Sequence, residues 1–181
     1  MPHAGRRPSS LEERFDVLNP RVLRAVRAGH EALERLGVRH ALVGGLAVGV
    51  HGRVRATKDV DFLVGPEAFE SSGPIVSFRH GVPLSAEGVP IDSILAPVEH
   101  EAVLNEALAD PVIIDGLPVI RVEPLIYMKL VASRRQDVAD VVSLLQEGDV
   151  DVARTRALLD KAAPALRARF EELLAEADAA R

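Results

Sequence analysis

The feature that most constrains this chain is a glycine pair followed by two closely spaced aspartates. A short apolar run ends at Gly44-Gly45, and Asp59 and Asp61 follow after 13 intervening residues, within a second apolar run at 58–64. If that second run is a strand, alternation places both carboxylates on one face of the sheet. Aspartate is a poor strand former, and two like charges side by side repel each other. We therefore expect a counter-charge at this face, and a divalent cation is the obvious candidate.

A third carboxylate lies in a later apolar segment. Asp92 stands within Val89–Leu95, whose composition predicts another strand. If the two strands are neighbours, Asp59, Asp61 and Asp92 converge, and each carboxylate raises the pKa of the others. One or two Mg²⁺ ions would supply the missing charge, because hard cations prefer carboxylate oxygens and keep coordination positions open for phosphates. These three aspartates are the predicted metal ligands and catalytic residues.

The glycine pair suits phosphate binding. A strand that ends at Gly44 and Gly45 and opens into a helix lets phosphate oxygens approach backbone N–H groups without a Cβ in the way. The helix N-terminus adds its partial positive charge. The loop before the aspartates offers Arg55 and Lys58 as further phosphate ligands and Thr57 as a hydroxyl donor. Each signal is weak alone, because glycine pairs usually form turns and Asp-x-Asp occurs by chance in many chains.

Together these residues resemble a known signature. Gly44-Gly45, a short helix and Asp59-Val60-Asp61 match the pattern of the DNA polymerase β-like nucleotidyltransferase superfamily, which also has a third carboxylate on a later strand. The string RATKDVDFLV at 55–64 is most similar to the AbiEii-like abortive-infection toxin branch. A second segment, 123–145, resembles the helical motif of that branch, in which a lysine is followed by an arginine and by Asp-x-x-Asp.

The resemblance implies roles for residues of this second segment. Lys129 would contact the nucleotide phosphates, Arg134 or Arg135 and Asp137 would complete the site, and Asp140 would pack or bond near them. The implied activity is Mg²⁺-dependent transfer of NMP from an NTP to a hydroxyl of RNA, typically tRNA, or of a partner protein. The implied biological setting is a toxin-antitoxin or abortive-infection system.

The pattern of elements predicts an α/β core with a helical C-terminal third. The resemblance implies the small mixed sheet of the nucleotidyltransferase fold, flanked by helices. Residues 1–10 are predicted to form a disordered leader. The nucleotidyltransferase core is expected over 11–146, and 147–181 is expected to be a helical extension of the same domain.

The composition excludes several classes of protein. The chain has no cysteine, so it has no disulfides and no thiolate metal site, which fits a reducing cytoplasm. The N-terminus lacks the apolar stretch of a signal peptide, and no apolar run approaches the ~20 residues of a membrane helix. We therefore expect a cytoplasmic protein without membrane contact. The net charge of −5 disfavours a broad nucleic-acid surface and slightly disfavours RNA as the acceptor.

The alternative is a non-catalytic nucleotide-binding or partner-binding module that keeps the fold. Loss of the carboxylates would be its usual mark, and all three are present. Homo- or hetero-oligomers could still form through the C-terminal helices, where leucines make a partial apolar stripe. The leucines of this stripe are Leu158, Leu159, Leu166, Leu173 and Leu174. Elsewhere, His100 is expected at the surface, on an amphipathic helix.

Overall fold

A computed structural model of the chain describes residues 11, 15, 19–72 and 75–180. The predicted leader at 1–10 lies outside these residues. The helices are α1 (Pro20–Arg35), α2 (Gly44–His51), α3 (Glu101–Ala109), α4 (Val122–Ala132), α5 (Arg135–Glu147), α6 (Val152–Ala162) and α7 (Arg167–Ala179). The strands are β1 (His40–Leu42), β2 (Val60–Val64), β3 (Phe69–Ser72), β4 (Ile75–Phe78), β5 (Ser85–Ala86), β6 (Val89–Leu95), β7 (Val112–Ile114) and β8 (Leu117–Val119).

Six of these strands form one mixed sheet in the order β5-β6-β2-β1-β8-β7. Strand β2 runs antiparallel to β1 and parallel to β6, while β1 runs parallel to β8. The edge strands β5 and β7 pair antiparallel with β6 and β8. Strands β3 and β4 form a separate two-stranded sheet. The predicted α/β class, with a mixed sheet and flanking helices, is confirmed.

Helix α1 covers one face of the sheet. Asn19 caps its start by accepting a hydrogen bond from the Arg21 backbone N–H at 3.0 Å, and proline occupies the first turn. Gly29 lies so close to the sheet that a Cβ there would stand 2.8 Å from the Phe62 ring and 3.1 Å from Ile91. Because side chains alternate along a strand, the neighbours of these two residues point to the opposite face. That opposite face carries Asp61 and Asp92, which neighbour Phe62 and Ile91 in their strands.

Two boundaries differ from the sequence prediction. Strand β2 begins at Val60 rather than at residue 58, so Asp59 lies in the loop just before the strand. The glycine pair belongs to the first turn of α2 rather than to the end of β1. The Val43 backbone N–H still donates to the Asp61 carbonyl oxygen at 2.9 Å. The chain can turn into the helix directly after that bond because Gly44 adopts a positive φ of 65°.

The C-terminal helices pack back onto the core. Helix α6 lies against α4, and α7 lies against α5. In the leucine stripe, Leu159 and Leu173 are fully buried, and the other three leucines are partly buried against the core. The stripe is thus used within the chain, and association through these helices stays a prediction. Among the described residues, no helix is both long and apolar enough to span a bilayer.

Candidate functional site

A cleft of about 800 Å³ opens on the face of the sheet opposite α1. Its walls come from β2 and β6, from the start of α2, and from α4 and the first turn of α5. Most of the predicted site residues line it: Gly44, Gly45, Arg55, Thr57, Asp59, Asp61, Asp92, Lys129, Arg134 and Asp137. Lys58 and Arg135 are exposed and do not line the cleft.

Three carboxylates meet at the floor of the cleft. Asp61 and Asp92 are register partners on the parallel strands β2 and β6, so their side chains share a face. Asp59 precedes Asp61 by two residues, and the Thr57 hydroxyl donates to Asp59 Oδ1 at 2.9 Å, which orients that carboxylate. One oxygen from each of the three aspartates lies within 4.8 Å of the others. This donor set can hold a metal ion.

Within the described part of the chain, the three carboxylates lack a paired counter-charge. Among the described residues, no lysine or arginine forms an ion pair with Asp59, Asp61 or Asp92, although Lys129 and Arg134 stand near enough to act on Asp61. Burial raises the pKa of Asp61 to about 6, and repulsion from the other two carboxylates adds to the shift. A negatively charged cluster of carboxylate oxygens is a suitable site for a hard divalent cation.

The glycine pair packs closely against this cluster of carboxylates. A Cβ on Gly44 would collide with the Asp61 carboxylate, and a Cβ on Gly45 would stand 2.9 Å from Arg55 Nη2. No side chain caps the start of α2. The first turn of the helix therefore presents backbone N–H groups between a carboxylate cluster and a guanidinium, an arrangement suited to phosphate oxygens.

An ion-pair network forms the wall beside the glycine pair. Arg55 donates two hydrogen bonds to Asp140, from Nε to Oδ1 at 2.9 Å and from Nη2 to Oδ2 at 3.1 Å. Lys129 Nζ lies between Asp137 Oδ1 at 2.9 Å and Asp140 Oδ2 at 2.8 Å. Arg134 Nε donates to Asp137 Oδ2 at 3.0 Å. Burial tends to raise the pKa of both aspartates, but the hydrogen bonds from these cations hold each pKa below its usual value.

One pair of cleft residues was not predicted. Tyr127 is buried, and its hydroxyl lies 2.7 Å from His100 Nδ1, with both side chains lining the cleft. His100 is therefore half-buried in the cleft wall, and the prediction of a surface position was wrong. The short helical turn Val98–His100 before α3 carries it inward. No motif in the sequence marks this pair, since the two residues are distant in the chain.

No protein-family model matches this chain, and no curated protein matches it at a significant level. Among solved structures, the chain is similar to an antigenic nucleotidyltransferase-like protein from Paracoccidioides brasiliensis. The two are 15% identical, with a TM-score of 0.42, over 85% of this chain and 91% of that one. At this level of similarity the function has to be inferred from the site's own residues.

Proposed function

We propose that this protein is a metal-dependent nucleotidyltransferase that transfers NMP from an NTP to an acceptor hydroxyl. The convergence of Asp59, Asp61 and Asp92 beside an uncapped, glycine-rich helix start carries the proposal. A set of carboxylate oxygens favours Mg²⁺ over softer metals. One or two such ions, held by the three aspartates, would offset the phosphate charge and act as a Lewis acid.

The chain's own groups would position the triphosphate. Gly44 and Gly45 line the cleft beside the carboxylates, their backbone N–H groups would bind phosphate oxygens, and the Arg55 guanidinium lies close to Gly45. Lys129, held by the acids of α5, adds a fixed positive charge to the same wall. These groups match the charge and the hydrogen-bonding needs of phosphate oxygens. We further propose that Lys58, which is exposed in the loop before β2, contacts the phosphates once a nucleotide is bound.

The remaining groups suit the chemical step. The acceptor O–H would lose its proton to Asp92, which is the most exposed of the three carboxylates. The acceptor oxygen would form a bond to the α-phosphorus as the bond from that phosphorus to the bridging oxygen breaks. Pyrophosphate would leave with the electron pair. Thr57 would keep Asp59 oriented through the hydroxyl bond already described.

We also propose an AbiEii-like role in a toxin-antitoxin or abortive-infection system. Two separate sequence motifs suggested that branch, one around Arg55 and one spanning 123–145. The bond between Arg55 and Asp140 joins these motifs in the same cleft, which supports treating them as parts of one site. The acceptor would be a hydroxyl of RNA or of a partner protein.

Metal-dependent nucleotide binding is the direct test. Calorimetric titration with Mg²⁺-ATP and Mg²⁺-CTP should show binding to the unmodified protein and its loss in the double variant Asp59→Ala/Asp61→Ala. The exposed substitution Asp160→Ala serves as the matched control and should bind normally. Equal binding by the double variant would contradict the proposal. Nucleotide binding that is unaffected by EDTA would instead favour the non-catalytic module.

Asp92 separates binding from chemistry. The variant Asp92→Asn should bind Mg²⁺-NTP with a somewhat weaker affinity but should lose NMP transfer, because the group that accepts the proton is gone. The measurement is release of pyrophosphate under conditions that saturate the nucleotide site. Normal release by this variant would remove Asp92 from the catalytic role.

A further inference from the structure

The order of the strands gives the cleft two sides. The glycine pair follows β1, which lies on one side of β2, whereas Asp92 lies on β6 on the other side, followed by the edge strand β5. If the triphosphate occupies the start of α2, beside Asp61, the space beyond Asp92 is left for the acceptor. The chemistry of that second side therefore indicates the class of acceptor.

The side beyond Asp92 combines the polar residues Ser93 and His100 with several apolar side chains. Ile94 and Pro97 continue the wall past Asp92, and Phe78 and Leu84 precede β5. Leu84 is 62% exposed and Phe78 is 39% exposed although both line the cleft. Exposed side chains of this size at the mouth of a cleft indicate a surface that another molecule covers.

Further apolar side chains close to these residues in the chain are exposed. Ile75 and Val76 lie on β4 with Phe78, and Leu95 and Val98 stand on either side of Pro97. Strand β4 pairs only with β3 among the described strands, so its other edge offers unpaired backbone N–H and C=O groups. An added peptide strand could use this edge.

The charges of the cleft do not suit a polyanionic acceptor. Its lysine and arginine side chains, within the part of the chain that the structure describes, are Arg55, Lys129 and Arg134. These cations are linked through Asp137 and Asp140 into the wall by the glycine pair, where the triphosphate is proposed to bind. RNA binding depends on cations that neutralise backbone phosphates, and the side beyond Asp92 has none lining it.

We propose that the acceptor is a protein hydroxyl: a serine, threonine or tyrosine in a segment whose flanking residues are apolar. This inference rests on the proposed nucleotidyl transfer. The hydroxyl reaches Asp92 while its flanking side chains cover Phe78 and Leu84. The acceptor oxygen bonds to the α-phosphorus, its proton passes to Asp92, and pyrophosphate leaves, so the product is a protein that carries NMP as a phosphodiester.

The test presents defined acceptors to the full chain with Mg²⁺ and each of the four NTPs labelled at the α-phosphate. The acceptors are a peptide pool with a central serine, threonine or tyrosine between leucines and valines, a matched pool with glutamates and lysines at the flanks, and total tRNA. The label should enter the apolar pool about tenfold faster than the charged pool, the difference expected from burying one or two apolar side chains.

Leu84→Glu gives the residue-level test, and Ile113→Glu is its matched control. Ile113 is 60% exposed, close to the value for Leu84, but lies on the opposite edge strand, β7, away from the cleft. Leu84→Glu should lose about tenfold in labelling of the apolar pool, with unchanged Mg²⁺-NTP affinity. Ile113→Glu should behave like the unmodified protein.

Several results would overturn the acceptor proposal. These are label in tRNA, equal labelling of the two pools, equal behaviour of the two variants, or no labelled acceptor although Mg²⁺-NTP binds. Failure to bind Mg²⁺-NTP at all is a different result, because it contradicts the proposed nucleotidyl transfer itself.

Discussion

Arg55 and Asp140 stand 85 positions apart in the chain and form a two-pronged ion pair in the cleft wall. The Asp140 side chain is only 2% exposed, and it also accepts from Lys129 and Gln136. One carboxylate thus fixes two of the cations that face the proposed phosphate site. The position of Arg55 over the glycine pair depends on α5, which is remote from it in sequence.

Removing the charge of Asp140 should be costly. Asp140→Asn removes the negative charge that pairs with both the buried Lys129 ammonium and the Arg55 guanidinium. Loss of one partner from a buried ion pair lowers the free energy of unfolding by about 3 kcal/mol. Asp110→Asn is the control, since Asp110 makes a similar fork with Arg121 at the surface. Urea unfolding should show a clear loss for the first variant and little change for the second. Equal losses of unfolding free energy in the two variants would mean that the buried ion pair contributes no more to stability than the exposed one.

Gly44→Ala should damage the site as well as the fold. A side chain at this positive φ costs about 1–2 kcal/mol, and its Cβ would also collide with the Asp61 carboxylate. Gly37→Ala is the matched control: Gly37 has a φ of 66°, close to the 65° of Gly44, but a Cβ there meets nothing within 4 Å. Thermal unfolding should show a loss for both variants. Mg²⁺-NTP binding should fall only in Gly44→Ala, and a similar fall in Gly37→Ala would show that strain alone is responsible.

The stability of the metal-free protein should depend on Asp61. Its pKa is about 6 in the fold against 3.8 for the ordinary side chain, so between these values the folded state binds more protons than the unfolded state. The contribution of Asp61 to stability is therefore present below pH 4 and is lost as the pH rises through 6. Asp61→Asn carries no such penalty and should be more stable than the unmodified protein in EDTA at pH 7.5. The expected gain is about 1–2 kcal/mol after an allowance for partial exposure.

Magnesium provides the second half of this experiment. Because a bound cation supplies the missing charge, Mg²⁺ at pH 7.5 should raise the unfolding temperature of the unmodified protein and change that of Asp61→Asn much less. The free energy of unfolding is measured in urea from pH 4 to pH 8, with EDTA or with Mg²⁺. A pH profile shared by both proteins in EDTA would contradict the assignment of the raised pKa to Asp61.

Tyr127 and His100 should act as a coupled pair. Tyr127→Phe removes the hydroxyl that lies 2.7 Å from His100 Nδ1, and the lost hydrogen bond should cost about 1 kcal/mol. After His100→Ala, the same tyrosine substitution should cost much less, since its partner is already gone. Unfolding of the two single variants and the double variant gives the coupling energy. Strictly additive losses would show that the two side chains do not depend on each other.

Much of the local structure could be predicted from the sequence. Strand β6 has the predicted bounds, Val89–Leu95, because its apolar residues match a half-buried strand. The sequence predicted that Asp92 meets Asp61 only on the condition that their strands are neighbours, and the register of β2 and β6 places the two residues opposite each other. Strand β3 was missed, since Phe69–Ser72 has little apolar character and, among the described strands, its partner is the short strand β4.

The sequence by itself determined which functional groups are available for the site. These are a glycine pair that permits a positive φ, and carboxylates in segments that are otherwise apolar. These are local properties of residue type and spacing. Only the tertiary structure decided that Arg55 meets Asp140, that Lys129 lies between two acids, and that His100 turns into the cleft against Tyr127. Such contacts join residues far apart in the chain, and they depend on the strand order and on how α4 and α5 pack, which no local pattern encodes.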